Sequence, residues 1–248
     1  MNSPVILITG AGKGIGKAIV SEIVKRKAEL GSPKLMITSR TSSDLETLQT
    51  IVQKAGLTCE ILPLDLANDP VRVVTHTVQK LGRLDQLIHS AGVGRFGNFL
   101  ELTKEDLEFT MKTNVEASFL LMQAAYAQMK SQKVISSKLA THHGDIVWIT
   151  SVAAERPFEH SSIYCMSKYA QRGLIDVMRI YGRKDGIRII DVKPGAVLTP
   201  MWGENATPDL VPKMMMPEDI AQLIITALLV HPRASVEEIR VRPIAGDL

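Results

Sequence analysis

Short apolar runs, closed by small or polar residues, alternate along this chain with longer stretches in which apolar residues return every three or four positions. The runs at 5–9, 34–38, 58–64, 85–89, 145–150 and 187–192 read as buried strands, and a last strand is expected near 239–241. The stretches between them read as helices. They cover 18–24, about 44–55 with Asp44 as cap and Gly56 as stop, 69–81 with Gly82 as stop, about 111–129, 162–181, and a segment from Glu218. Residues 103–106 have the composition of a helix start. Met111, Val115, Phe119, Met122 and Met129 are expected to pack in the core. This alternation predicts one α/β domain over residues 1–248, with a doubly wound parallel sheet of seven strands, helices on both faces and a flap around 200–217.

The first strand runs into Gly10, Gly12, Gly14 and Gly16, with Lys13 and Ile15 among them, and then into a helix. A glycine turn between strand and helix lets a pyrophosphate approach bare backbone and the unpaired N–H groups at the positive helix end. That placement makes the domain a Rossmann fold. The spacing is not G-x-G-x-x-G, because Ile15 stands three residues after Gly12. In such a fold an acidic residue after the second strand holds the ribose 2′-hydroxyl of NAD. None occurs between Leu35 and Ser43; Ser39 and Arg40 stand there instead, and an arginine suits the 2′-phosphate of NADP(H). Lys13 adds a second positive charge. Arg40 as a plain surface residue is the competing reading.

The net charge of +3 is dispersed over 248 residues, so nucleic acid is not expected as a partner. The longest apolar helix candidate, 220–230, is too short to cross a bilayer, and the first apolar run is read as a strand rather than a leader. Cys59 and Cys165 lack paired spacing, which fits a reducing cytoplasm. His142 and His143 have no metal-ligand company and are read as solvated; no metal is expected.

Ser151 ends the fifth strand, and twelve residues separate it from Tyr164. Tyr164 and Lys168, four apart, share one face of a helix. A phenol, a hydroxyl and an ammonium meeting beside a nicotinamide suit carbonyl reduction. The phenol gives a proton to the oxygen, the ammonium is expected to lower the phenol's pKa, and Ser151 fixes the oxygen.

These residues, with the Thr-Gly-x-x-x-Gly-x-Gly turn at 9–16, resemble the short-chain dehydrogenase/reductase family over nearly the whole chain. The resemblance implies that Asn114 is the fourth catalytic residue, bending its helix and joining a water relay to Lys168. It implies that Lys168 also binds the nicotinamide ribose, and that Asp65, followed by Leu66, meets the adenine; from the residues alone, Asp65 is equally a loop or cap aspartate. Ala91 and Gly92 match the family's turn after the fourth strand, whereas His89 and Ser90 replace its usual Asn-Asn. His89 is read as a hydrogen-bonded structural residue. Pro194, Gly195, Val197 and Thr199 are implied to hold the carboxamide.

Within the family, the runs at 160–168, 171–174, 199–203, 214–220 and 242–247 resemble bacterial members that reduce side-chain ketones of pterins. That implies a small-molecule substrate, a pterin or other ketone, with Asp247 accepting the pterin's N–H edge and Phe96 or Trp202 against its ring. Each has a plainer reading: a tail residue, a hydrophobic plug, a flap residue packed on the core. A homodimer or homotetramer is implied by resemblance alone. The alternatives are another carbonyl reductase, such as a 3-oxoacyl-carrier-protein reductase, and a non-catalytic NADPH sensor.

Overall fold

The structure, a computed structural model, describes residues 3–134 and 142–246. Its elements follow in chain order. The first half holds β1 (Val5–Thr9), α1 (Gly14–Lys25), β2 (Lys34–Ser39), α2 (Ser42–Lys54), β3 (Cys59–Pro63), α3 (Pro70–Leu81), β4 (Gln86–His89), α4 (Lys104–Met111) and α5 (Ala117–Ser131). The second holds β5 (Gly144–Ile149), α6 (Ser162–Asp185), β6 (Ile187–Pro194), α7 (Pro217–Leu229) and β7 (Glu238–Val241). The strands form one seven-stranded sheet in the order β3-β2-β1-β4-β5-β6-β7, parallel throughout. The chain winds outward from β1 to β3 and then crosses back to β4. The C-terminal ends of β1 and β4 therefore flank the switch point where this architecture opens a ligand crevice.

Both sheet faces are covered, which is why the strands read as unbroken apolar runs. On one face Ile6 and Ile8 of β1 pack with Ile19 and Ile23 of α1, Leu48 of α2 and Ile220 and Ile224 of α7. On the other, Leu7 and Trp148 pack with Val73 of α3, Leu121, Met122 and Met129 of α5, and Ile175 of α6. Cys59 and Cys165 are buried and free. Among the described residues, no helix is long and apolar enough to cross a membrane.

Four expectations need correction. Asp44 is not the cap of α2: Thr41 is, and Asp44 lies in the first turn, 3.8 Å from the Lys13 ammonium. The helix start expected at 103–106 stands, with Thr103 and Asp106 capping each other reciprocally, but the helix expected over about 111–129 is broken: α4 ends at Met111 and α5 begins at Ala117 after a π-helical turn. Phe119 faces outward, 49% exposed, on the side of α5 turned away from the sheet. Exposed apolar side chains stand on α6 as well, at Tyr169, Val177, Ile180 and Tyr181. His142 and His143 are not solvated. His142 Nε2 lies 2.8 Å from the buried Asp145, and His143 Nδ1 lies 3.2 Å from the Met129 carbonyl.

Candidate active site

The turn between β1 and α1 is closed by contact. Gly10 has φ +65°, and a Cβ there would stand 2.7 Å from the Ala91 nitrogen. A Cβ on Gly16 would fall far inside contact distance of the Gly10 carbonyl oxygen. Gly12 lies against the Ser39 hydroxyl at the end of β2, and Gly14 against the Thr199 methyl. The crevice thus gathers the glycine turn, Ser39, the Ala91–Gly92 turn and Thr199. It is a cradle of backbone that side chains would fill, and it fits a dinucleotide. Arg40 is exposed at the rim. Ile15 packs against the first core and Leu66 is buried in the second, so Leu66 offers the crevice backbone rather than side chain. The Asp65 carboxylate accepts the Ala67 N–H at 3.0 Å, the local turn that its plainer reading anticipates. Beyond β6, the Gly195 N–H donates to the Val241 carbonyl, and Val197 bridges Met215 in parallel.

Ser151 follows β5, where its hydroxyl accepts the Ala153 N–H at 3.0 Å and bonds the Tyr164 hydroxyl. On α6, the Lys168 ammonium lies 5.6 Å from the Tyr164 ring centre. Burial pushes the Tyr164 phenol up to about 12, and the Ser151 hydrogen bond offsets only part of that. The expected lowering of Tyr164 is therefore reversed: the cost of a desolvated phenolate outweighs its polar neighbours. Burial also brings Lys168 down to about 8, against the opposing pull of the Asp191 carboxylate. The Phe96 ring is tilted against Tyr164 with centroids 5.1 Å apart, from a loop tied to His160 through the Gly97 N–H. Trp202 is half-buried in a short helical segment, Pro200–Asn205, that follows Thr199. Asp247 lies outside the described residues.

Asn114 sits in a π-helical turn, Lys112–Glu116, between α4 and α5. Its side chain takes the Val93 N–H at 2.9 Å and donates to the Val93 carbonyl at 2.8 Å and to Ser167 Oγ at 3.0 Å. Its own carbonyl accepts from Gln171 Nε2 at 2.7 Å, and Gln171 Oε1 accepts from the Lys168 ammonium at 2.9 Å. The Gln171 side-chain amide thus links the Asn114 backbone carbonyl to the Lys168 ammonium. Gly92 adjoins both, since a Cβ there would lie 3.5 Å from Asn114 Oδ1 and 3.7 Å from the ammonium.

His89 is structural, as read from the chain. It is 2% exposed, and bonds Thr9 Oγ1 through Nδ1 and Ser118 Oγ through Nε2. Its ring lies 4.0 Å from that of Trp148. Burial, and secondarily the Lys168 charge, hold it down to about 3, so it stays neutral. Sequence reasoning passed over Gln171, Ser118, Asp191 and Lys193. The available signal was polarity at apolar positions: Asp191 and Lys193 interrupt a β6 buried along its whole length. Thr150 Oγ1 donates to Asp191 at 2.5 Å, and the Lys193 ammonium meets Glu155 at 2.5 Å and Glu238 at 3.0 Å. These bonds tie the Ser151–Glu155 loop to β6.

The family model described as short chain dehydrogenase matches residues 4–209. Over 248 residues, 98% of both chains, the protein is 46% identical to sepiapterin reductase from Chlorobaculum tepidum. It superposes on a metagenomic short-chain oxidoreductase in complex with NADP with a TM-score of 0.79, at 26% identity and 97% coverage of each chain. An alcohol dehydrogenase from Thermococcus sibiricus, complexed with 5-hydroxy-NADP, is alike in fold: TM-score 0.86 at 22% identity, covering 100% of this chain and 99% of that one.

Proposed function

From its membership of the short-chain dehydrogenase/reductase family, to which this chain belongs, we propose that the protein is an NADPH-dependent reductase of a ketone on a pterin side chain. The observation that carries this reading is the convergence of Ser151, Tyr164 and Lys168 at the mouth of the glycine cradle, in a chain 46% identical along its length to a sepiapterin reductase. Gly10, Gly12, Lys13, Gly14, Ile15 and Gly16 would hold the pyrophosphate. Ser39 and Arg40 would hold the 2′-phosphate, Asp65 and Leu66 the adenine, Ala91, Gly92 and Lys168 the ribose, and Pro194, Gly195, Val197 and Thr199 the carboxamide. The bound cofactor supplies a hydride to the carbonyl carbon.

The remaining chemistry belongs to the chain. As negative charge grows on the carbonyl oxygen, the Tyr164 hydroxyl gives it a proton; with its pKa near 12 the phenol is fully protonated beforehand. The Ser151 hydroxyl, already bonded to Tyr164, fixes where that oxygen sits. The Lys168 ammonium supplies positive charge beside the phenolate left behind. Asn114 holds the Val93 backbone in place, and with it the loop that leads to Phe96. Phe96, over Tyr164, and Trp202 would wall a flat aromatic substrate, and Asp247 would accept its N–H edge.

Asp247→Asn tests the substrate. Turnover of sepiapterin falls about tenfold or more, the cost of one charge-assisted hydrogen bond, while turnover of a simple diketone is unchanged. Equal effects on both support the broader carbonyl reductase, and no NADPH oxidation over a carbonyl panel supports the non-catalytic sensor. Arg40→Ala tests the cofactor. Isothermal titration should show NADPH affinity about tenfold weaker with NADH affinity unmoved, and equal effects on the two overturn the assignment. The exposed apolar side chains of α5 and α6 support a homodimer or homotetramer, which the mass in solution would decide.

A further inference from the structure

We propose that Gln171 is the positioning residue for Lys168, a clamp whose side-chain amide joins the ammonium to the π-helical turn at Asn114; this rests on the catalytic role given to Lys168 above. Gln171 is 1% exposed, and both the oxygen and the nitrogen of its amide are engaged at 2.7–3.1 Å. Its orientation is not free. The Asn114 carbonyl can only accept, so the amide nitrogen must face it, and the amide oxygen is left facing Lys168. The nitrogen also donates to Ser118 Oγ at 3.1 Å, and Ser118 is bonded in turn to His89 and His89 to Thr9. A buried polar chain thus runs from the β1–β4 pair to the ammonium.

Lys168 needs such a partner. It is 4% exposed, and its other hydrogen bond, to the Ile149 carbonyl, is longer at 3.3 Å. A buried ammonium with too few acceptors gives up its proton, and burial has already moved Lys168 down to about 8. Few charges compete for it. From its own helix comes Tyr164, protonated. β4 contributes the neutral His89, and β6 contributes Asp191, which is itself bonded to Thr150 and beside Lys193. The amide oxygen is thus the closest neutral group that favours the charged form.

The test is a pH titration of the Lys168 ammonium by nitrogen NMR in the protein without cofactor, its signal identified by loss in Lys168→Arg. Gln171→Leu removes the acceptor and should lower the midpoint by about one pH unit, because the lost contact favoured the proton-bound form. Gln171→Glu keeps an acceptor oxygen and should restore the midpoint to the native value or above. Gln171→Met serves in place of leucine if that variant fails to fold. Midpoints that coincide in the native, Leu or Met, and Glu proteins, with only thermal stability changed, would make Gln171 a mere tie between helices and overturn the proposal. The readout needs no substrate. Midpoints that move in a protein reducing no carbonyl compound would uphold the clamp and sink the proposed function instead.

Discussion

Tyr164→Phe is expected to lower kcat for sepiapterin by about 10²–10⁴-fold, the range that positioned proton transfer supplies, and to leave NADPH affinity within about twofold. The substitution removes one oxygen and little else. The ring keeps its contact with Phe96, centroids 5.1 Å apart, and the Ser151 hydroxyl keeps the Ala153 N–H. Hydride would still reach the carbonyl carbon, but the charge growing on oxygen would find only a serine hydroxyl, a far weaker acid. Because the Tyr164 phenol is held near 12, it stays protonated across the neutral range. The alkaline loss of kcat/KM for NADPH should therefore follow Lys168, falling as pH rises through about 8 and the ammonium empties. Steady-state rates of Tyr164→Phe at saturating NADPH decide the matter. A native rate would mean that some other group delivers the proton.

Gly16→Ala is expected to disable the cofactor site without touching the chemistry. The added methyl would press on the Gly10 carbonyl oxygen, with the Gly10 carbonyl carbon at 2.8 Å and Ala11 Cα at 3.1 Å. All three are backbone and cannot swing aside as a side chain would, so the first turn of α1 must lift from β1. Overpacking of this kind costs about 1–3 kcal/mol, which lowers Tm by about 2–12 °C in a domain of this length. The N–H groups aimed at the pyrophosphate move with the turn, and NADPH binding should weaken about 10²-fold. Gly173→Ala on α6 is the control. A Cβ there meets nothing within 4 Å, and alanine in a helix interior should be neutral or stabilising by about 0.5–1 kcal/mol. Calorimetry and fluorescence titration of the two variants side by side read both effects; a native Tm and affinity for Gly16→Ala would show that the turn tolerates a side chain.

Much of the frame was legible along the chain because it rests on local rules. β1, β2, β4 and β5 are buried along most of their length, so each leaves an apolar run that needs no knowledge of its neighbours. Tyr164 and Lys168 lie on one helix, and four residues of spacing are enough to align them. The capping residues at 103–106 were legible as a helix start, whereas the π-helical turn at Lys112–Glu116 left no mark in the apolar pattern. His142 and His143 looked solvated because their partners, Asp145 and the Met129 carbonyl, reach them only when β5 enters the sheet.

Period, glycine placement and the four-residue spacing of Tyr164 and Lys168 were enough to give the architecture, the strand–glycine turn–helix of the cofactor crevice and the alignment of those two side chains, since each is a matter of close neighbours along the chain. The protonation of those side chains was not, because desolvation depends on everything packed around them: Tyr164 rises where its nearest cation alone would have lowered it. Nor was the amide of Gln171 between Asn114 and Lys168, which joins positions 57 residues apart that meet only when α6 packs against the π-helical turn.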